Sequence, residues 1–146
     1  MLMATMPIVV IMERRAVRHP WADVAWSAAG VVPDQGGLPS LRLIGRTEER
    51  ERYLVSGLQL ELYPDENDGY FENWAAPQPK VFVLWRMTEQ HALPIAASVS
   101  YGEGARMLDS GECADGVTMP AEIHAWLTQY LRENYQPRQR RGRQHG

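Results

Sequence analysis

Hydrophobic and polar positions alternate most clearly between Tyr53 and Met87. In YLVSGLQLELY, Leu54, Ser56, Leu58, Leu60 and Leu62 fall on one face of an extended chain. Tyr53, Val55, Gly57, Gln59, Glu61 and Tyr63 fall on the other. One apolar and one mixed face predict an antiparallel strand covering a core. KVFVLWRM is apolar on nearly both faces, with Val81, Val83 and Trp85 opposing Phe82, Leu84 and Arg86. That predicts a central strand whose second face also needs cover. Between the two, PDENDGYFENWAAPQP reads as a turn-bearing connector whose aromatics are partly exposed.

The rest of the chain supplies weaker strands and one strong helix. IVVI opens a first strand over Ile8–Val17, and residues 21–32 are looser, anchored by Val24, Trp26, Val31 and Val32. PDQGGLPS is a loop, Leu41–Gly45 a short strand, and RTEERER a solvated charged stretch forming a helical turn or part of a loop. A further strand is expected over Pro94–Val99. Ser100 and Glu103 have capping-box spacing, which predicts a helix over Tyr101–Asp109 stopped by Gly111, although Gly102 and Gly104 weaken it. Ile123, Trp126, Leu127, Tyr130 and Leu131 form one continuous helical stripe. Thr118 or Met119 can cap that helix, Pro120 costs nothing at its first turn, and Pro137 ends it. Burying each large apolar side chain stabilises by roughly 1.5–3 kcal/mol, so the stripe must dock, and the doubly apolar strand offers the surface. These elements predict an α+β domain: five to six mostly antiparallel strands in a sheet, with a short helix and a C-terminal helix packed on it. It spans residues 1–137, and 138–146 form a basic tail expected to be disordered.

Composition changes this picture little. At 146 residues and 45% hydrophobic, the chain suits one globular domain. The net charge of −3 conceals an uneven distribution: four arginines lie in PRQRRGRQHG, leaving residues 1–136 near −7. An acidic body is a poor nucleic-acid surface, so polyanion contact would fall to the tail. Cys113 is alone, which excludes an internal disulfide and fits a reducing compartment. The apolar N-terminus runs for about twelve residues, too short to span a bilayer, and no charge precedes it as in a signal peptide. A cytoplasmic protein is expected.

Candidate chemistry is sparse. DENDG resembles the start of a calcium loop, but glycine falls fifth and Ala76 stands where the bidentate glutamate belongs. His19, His91, His124 and His145 are too scattered to share a metal. Cys113 is flanked by Glu112 and Asp115, which oppose thiolate formation. No nucleophile elbow, P-loop or dinucleotide fingerprint is present. No catalytic residue, metal or cofactor is therefore assigned. Glu103, Asp109, Glu112 and Asp115 read as a solvated face, and Arg86 as pairing with Glu61 if their strands are neighbours. The strongest signal is aromatic: Trp21, Trp26, Tyr70, Phe71 and Trp74 fall outside the strongest strand patterns. Trp21, Trp26, Tyr70 and Trp74, with Arg86, are the candidate partner-binding residues, because interfaces are enriched in these types. Tyr70 and Trp74 lead.

Several segments resemble a family of small proteobacterial proteins encoded beside formate dehydrogenase genes. They are VVIMERR, GLQLELYPDENDGYFENW, KVFVLWR, SVSYGEGARMLDSGE and MPAEIHAWLTQYLRENYQP, spread over residues 9–137. The chain departs at Gly102 and Gly104, where an acid and an alanine are expected. The resemblance implies an accessory protein for assembly, maturation or regulation of a molybdenum- or tungsten-dependent formate dehydrogenase, with a component of that enzyme as partner. It implies no active-site residues. The alternative is a small-ligand or cofactor-binding protein, or an enzyme, with a pocket between the sheet and the aromatic connector.

Overall fold

The computed structural model describes residues 1–19 and 22–136. Trp21, Pro137 and the arginine tail lie outside the described residues, and so do the expectations attached to them. The elements run β1 (Ala4–His19), β2 (Ala22–Pro33), β3 (Leu41–Arg46), β4 (Arg50–Leu62), a 3-10 turn (Pro64–Glu66) and α1 (Asn67–Trp74). There follow β5 (Lys80–Met87), β6 (Ala92–Ser98), α2 (Tyr101–Asp109), β7 (Cys113–Thr118) and α3 (Ala121–Asn134). The class is α+β, as the sequence predicts, and the strand pairs are antiparallel. The strands divide, however, into a four-stranded sheet ordered β2-β1-β4-β3 and a three-stranded sheet ordered β6-β5-β7.

One core joins the two sheets. Ile8, Val10, Met12, Leu60 and Leu62 from the larger sheet meet Val81, Val83 and Trp85 from β5, with Ile123, Leu127 and Leu131 of α3 in the same cluster. Asp115 of β7 pins the sheets together by accepting from the Ala28 backbone N–H at 2.9 Å and from Trp85 Nε1 at 2.8 Å. The acidic segment is thus not one uniformly solvated face, since Asp115 is partly buried and committed to this bridge.

β4 corrects the reading of one unbroken alternation. Ile8 pairs with Leu58 and Val10 with Val55, so β4 spends three residues where β1 spends two. This is a β-bulge, and Gly57 within it has φ +107°, a conformation that disfavours any residue with a side chain. The inward phase therefore switches: Tyr53 and Val55 are buried before the bulge, Leu60 and Leu62 after it. Leu54 and Ser56 do not share the face of the later leucines. RTEERER forms the tight β3–β4 turn, closed by Thr47 N–H donating to Arg50 O at 2.7 Å, and then enters β4.

β5 is central and covered on both sides, as its pattern predicts. The cover on its outer face is α2, not the C-terminal helix. Phe82 lies against Gly104, where an added Cβ would overlap the ring, and edge-on to Tyr101 at 6.2 Å. Glycine at 104 lowers helix propensity but provides the room for this contact. At the start of α2, Ser100 Oγ accepts from the Glu103 N–H at 3.2 Å. The return arm is relayed: Ser100 N–H donates to Ser98 Oγ, whose hydroxyl donates to Glu103 Oε1 at 2.7 Å. Gly111, with φ +82°, follows the helix in the left-handed conformation.

Candidate functional site

The connector expected to be a turn contains α1, and its polarity is inverted. Asn67, Tyr70 and Asn73, at i, i+3 and i+6, are its buried residues. Tyr130 O–H donates to Asn67 Oδ1 at 2.7 Å, and Asn67 Nδ2 donates to Asn134 O at 3.1 Å, which ties α1 to α3. Asn73 Nδ2 donates to Lys80 O and Val99 O at 2.7 and 2.8 Å, and Asn73 Oδ1 accepts from Lys80 N–H at 3.0 Å. Polar groups anchor this helix inward, which leaves its two large remaining aromatics, Phe71 and Trp74, half-buried at the side.

Tyr70 is therefore not a surface residue. It is fully buried, accepts from Tyr63 N–H at 2.9 Å, and packs edge-on to Tyr130 at 6.0 Å. Its ring fills the space where a pocket between sheet and connector is expected. Burial is the main cause pushing the Tyr70 phenol well above its ordinary value, and Tyr130 shifts upward for the same reason. A phenol that stays protonated only in the folded state contributes full stability below the unfolded value near pH 10, and loses it as pH rises further. Each pH unit above that removes up to about 1.4 kcal/mol per such group. The thermal midpoint is thus expected to fall steeply from pH 10 to 11.5, with a shallower slope in Tyr70→Phe. Equal slopes would assign the alkaline loss to other groups.

Phe71 and Trp74 begin a row of four rings along the seam between α1 and α3. Tyr135 lies 5.1 Å from Phe71, Phe71 stacks on Trp74 at 5.8 Å, and Trp74 stacks on His124 at 5.7 Å and 13°. Trp74 Nε1–H donates to Thr128 Oγ1 at 2.7 Å, and the threonine hydroxyl donates to His124 O at 2.7 Å. Tyr135 O–H donates to Asp68 Oδ1 at 2.7 Å. These bonds orient the Trp74 and Tyr135 rings, and Phe71 and His124 stack against them.

Two hollows flank the row. One, of about 280 Å³, is lined by Phe71, Trp74, Thr128, Leu131, Arg132 and Tyr135. The other, an open shelf of about 720 Å³, includes Pro79, Met119, His124 and Gln129 and shares Thr128 and Arg132 with the first. Arg132 is exposed at the boundary.

Among the described residues expected from sequence, Trp74 belongs to this surface, together with Phe71 of the same connector. Trp26 sits elsewhere, in a ring cluster with Tyr53 at 5.8 Å and His91 at 6.1 Å. Arg86 is exposed and pairs with Glu112 at 3.2 Å, not with Glu61, because β4 and β5 belong to different sheets. His124, Arg132 and Tyr135 were missed as site residues. Their signal was available: they occupy the flank of the α3 stripe and its C-terminal end, facing the connector. Among the described residues, no group of three or more His, Cys, Asp or Glu side chains could hold a metal, and no helix is long and apolar enough to cross a membrane.

A family described as "Protein of unknown function (DUF3305)" matches residues 7–144. The chain belongs to this DUF3305 family. The match covers both sheets, all three helices and the aromatic row. No curated protein and no solved structure matched the chain.

Proposed function

We propose that this DUF3305 protein is a non-enzymatic accessory protein of the cytoplasm that docks a protein partner along the Tyr135–Phe71–Trp74–His124 row. The observation carrying this reading is the inversion of α1: buried asparagines hold the helix, and its aromatics form a rigid surface beside Arg132. Aromatic side chains with a neighbouring arginine are the composition in which interface energy concentrates. The resemblance to proteins encoded beside formate dehydrogenase genes names the first partner to test, a component of a molybdenum or tungsten formate dehydrogenase undergoing assembly, maturation or regulation.

The rival reading, a small-ligand or cofactor protein with its pocket beneath the connector, meets a space filled by Tyr70, so the hollow beside the row is its nearest alternative. The hollow of about 280 Å³ falls just below the roughly 300–1,000 Å³ range of ligand pockets. Capture from a native extract on the tagged full chain is expected to recover a formate dehydrogenase subunit. Recovery of no such subunit, with thermal stabilisation by a nucleotide or a pterin, would instead favour the ligand reading.

A further inference from the structure

Charge is distributed unevenly between the two halves of the chain. Residues 1–52 contain seven arginines against six acids, whereas residues 53–136 contain four cationic side chains against twelve acids. The arginines concentrate where β1 and β4 run together. There the register places Arg52 opposite Glu13 and Arg15 opposite Arg50. Like charges directly opposed across a strand pair are destabilising, so this arrangement needs a counterion.

Glu13 supplies only part of one. It is 7% exposed, and Arg52 Nε donates to its Oε2 at 2.9 Å. Arg15 Nε and Arg50 Nε each lie 3.6 Å from its Oε1, beyond ordinary N–H···O bonding distance. Neither of these two side chains donates a hydrogen bond to another described residue. Three guanidiniums present about fifteen N–H donors to about four carboxylate lone-pair sites. Arg15 and Arg50 remain half-exposed and form one wall of a hollow of about 340 Å³ with Ala16, Thr47 and Glu49. Glu49 is engaged there through its backbone, its carbonyl accepting from Ala16 N–H at 2.7 Å. Its exposed carboxylate is the one acid on the wall, so the three guanidiniums still exceed the two carboxylates.

We propose that Arg15 and Arg50, backed by Arg52 and Glu13, form an oxyanion site that takes a phosphate group. The facing pair selects the shape of the ligand. A planar carboxylate is satisfied by one guanidinium fork, whereas a tetrahedral phosphate offers oxygens to two forks at once. Glu13 acts as a positioning residue, holding Arg52 by a hydrogen bond and drawing the other two guanidiniums to the same point. The site is separate from the aromatic row and does not depend on the partner proposed above.

Titration of the full chain with inorganic phosphate at low ionic strength, followed by calorimetry and by the thermal midpoint, tests it. Saturable binding is expected, weakened at least tenfold in Arg15→Gln or Arg50→Gln and lost in the double variant, with each variant still unfolding cooperatively. Arg86→Gln, which breaks an ion pair on the other sheet, should bind as the wild type does. Acetate should bind far more weakly. Absence of phosphate binding, equal affinity for acetate, or equal weakening by Arg86→Gln would overturn the proposal. So would loss of binding on removal of residues 138–146, which would assign the anion to the tail arginines.

Discussion

Asn73→Leu is expected to destabilise the protein by on the order of 3–5 kcal/mol, because it strips three buried backbone groups of their partner. Asn73 is 1% exposed and makes three hydrogen bonds, two to the Lys80 backbone and one to Val99 O. Leucine matches its size but pairs with none of these groups. Each buried backbone group left without a partner costs about 1–3 kcal/mol. Relaxation around the substituted side chain and its new apolar contacts return part of that sum. The bonds also join the end of α1 to the start of β5 and the end of β6, so their loss loosens the seam on which the ring row sits. Equilibrium urea unfolding measures this as a lower midpoint with an unchanged slope. Asn73→Asp keeps the acceptor for Lys80 N–H but loses both donors and buries a charge, so it should be no better. A loss below 1 kcal/mol in Asn73→Leu would mean that the backbone groups find other partners.

The same residue shows what the sequence could and could not reveal. β5, α2 and α3 were legible because their signals are local: unbroken apolar alternation, a serine–glutamate cap, and a five-residue stripe at helical spacing. α1 was not, because its buried positions are Asn67, Tyr70 and Asn73. A helix held by side-chain amides has no apolar stripe, and its proline, glycine and acids imitate a turn. Sequence alone consequently places Tyr70 at the surface, whereas it is fully buried. β4 was legible as a strand but not in phase, since period-two reasoning assumes that no residue is inserted, and Gly57 is inserted. β7 was missed because CADGVT has little intrinsic strand preference. It is a strand because it pairs with the edge of β5, where Asp115 meets Trp85 and Ala28. The division into two sheets followed from such pairings, and with it the partner of Arg86. Of the site, the richness in aromatics was legible, but the choice of rings required knowing how α1 faces α3.

Trp74→Ala is expected to weaken capture of the partner protein at least about thirtyfold, the loss that corresponds to the 2 kcal/mol or more typical of an interface hot spot. Trp74 is the middle contact of the row, touching Phe71 and His124, and its indole N–H is fixed by Thr128. Its removal would leave Phe71 and His124 without the ring between them and widen the smaller hollow, which it lines. It would also cost stability, because Trp74 packs against the core, so this variant alone cannot separate binding from folding. Arg132→Glu can. Arg132 is exposed at the boundary of both hollows, and no ion pair joins it to another described residue. Reversing its charge in the last turn of α3 should cost about 1 kcal/mol through the helix dipole and leave the protein folded and cooperative. Capture should still weaken about tenfold if the partner meets the row beside it. Trp26→Ala, in the separate cluster with Tyr53 and His91, should lower stability without changing capture by the folded fraction. The reverse result, capture lost with Trp26→Ala and kept with Arg132→Glu and Trp74→Ala, would move the docking surface to that second cluster. The distinction is physical. At the seam, buried asparagines hold α1 so that its rings need not be buried to keep the helix in place. In the other cluster, Tyr53 is itself a buried residue, so exposing it to a partner would compete with folding.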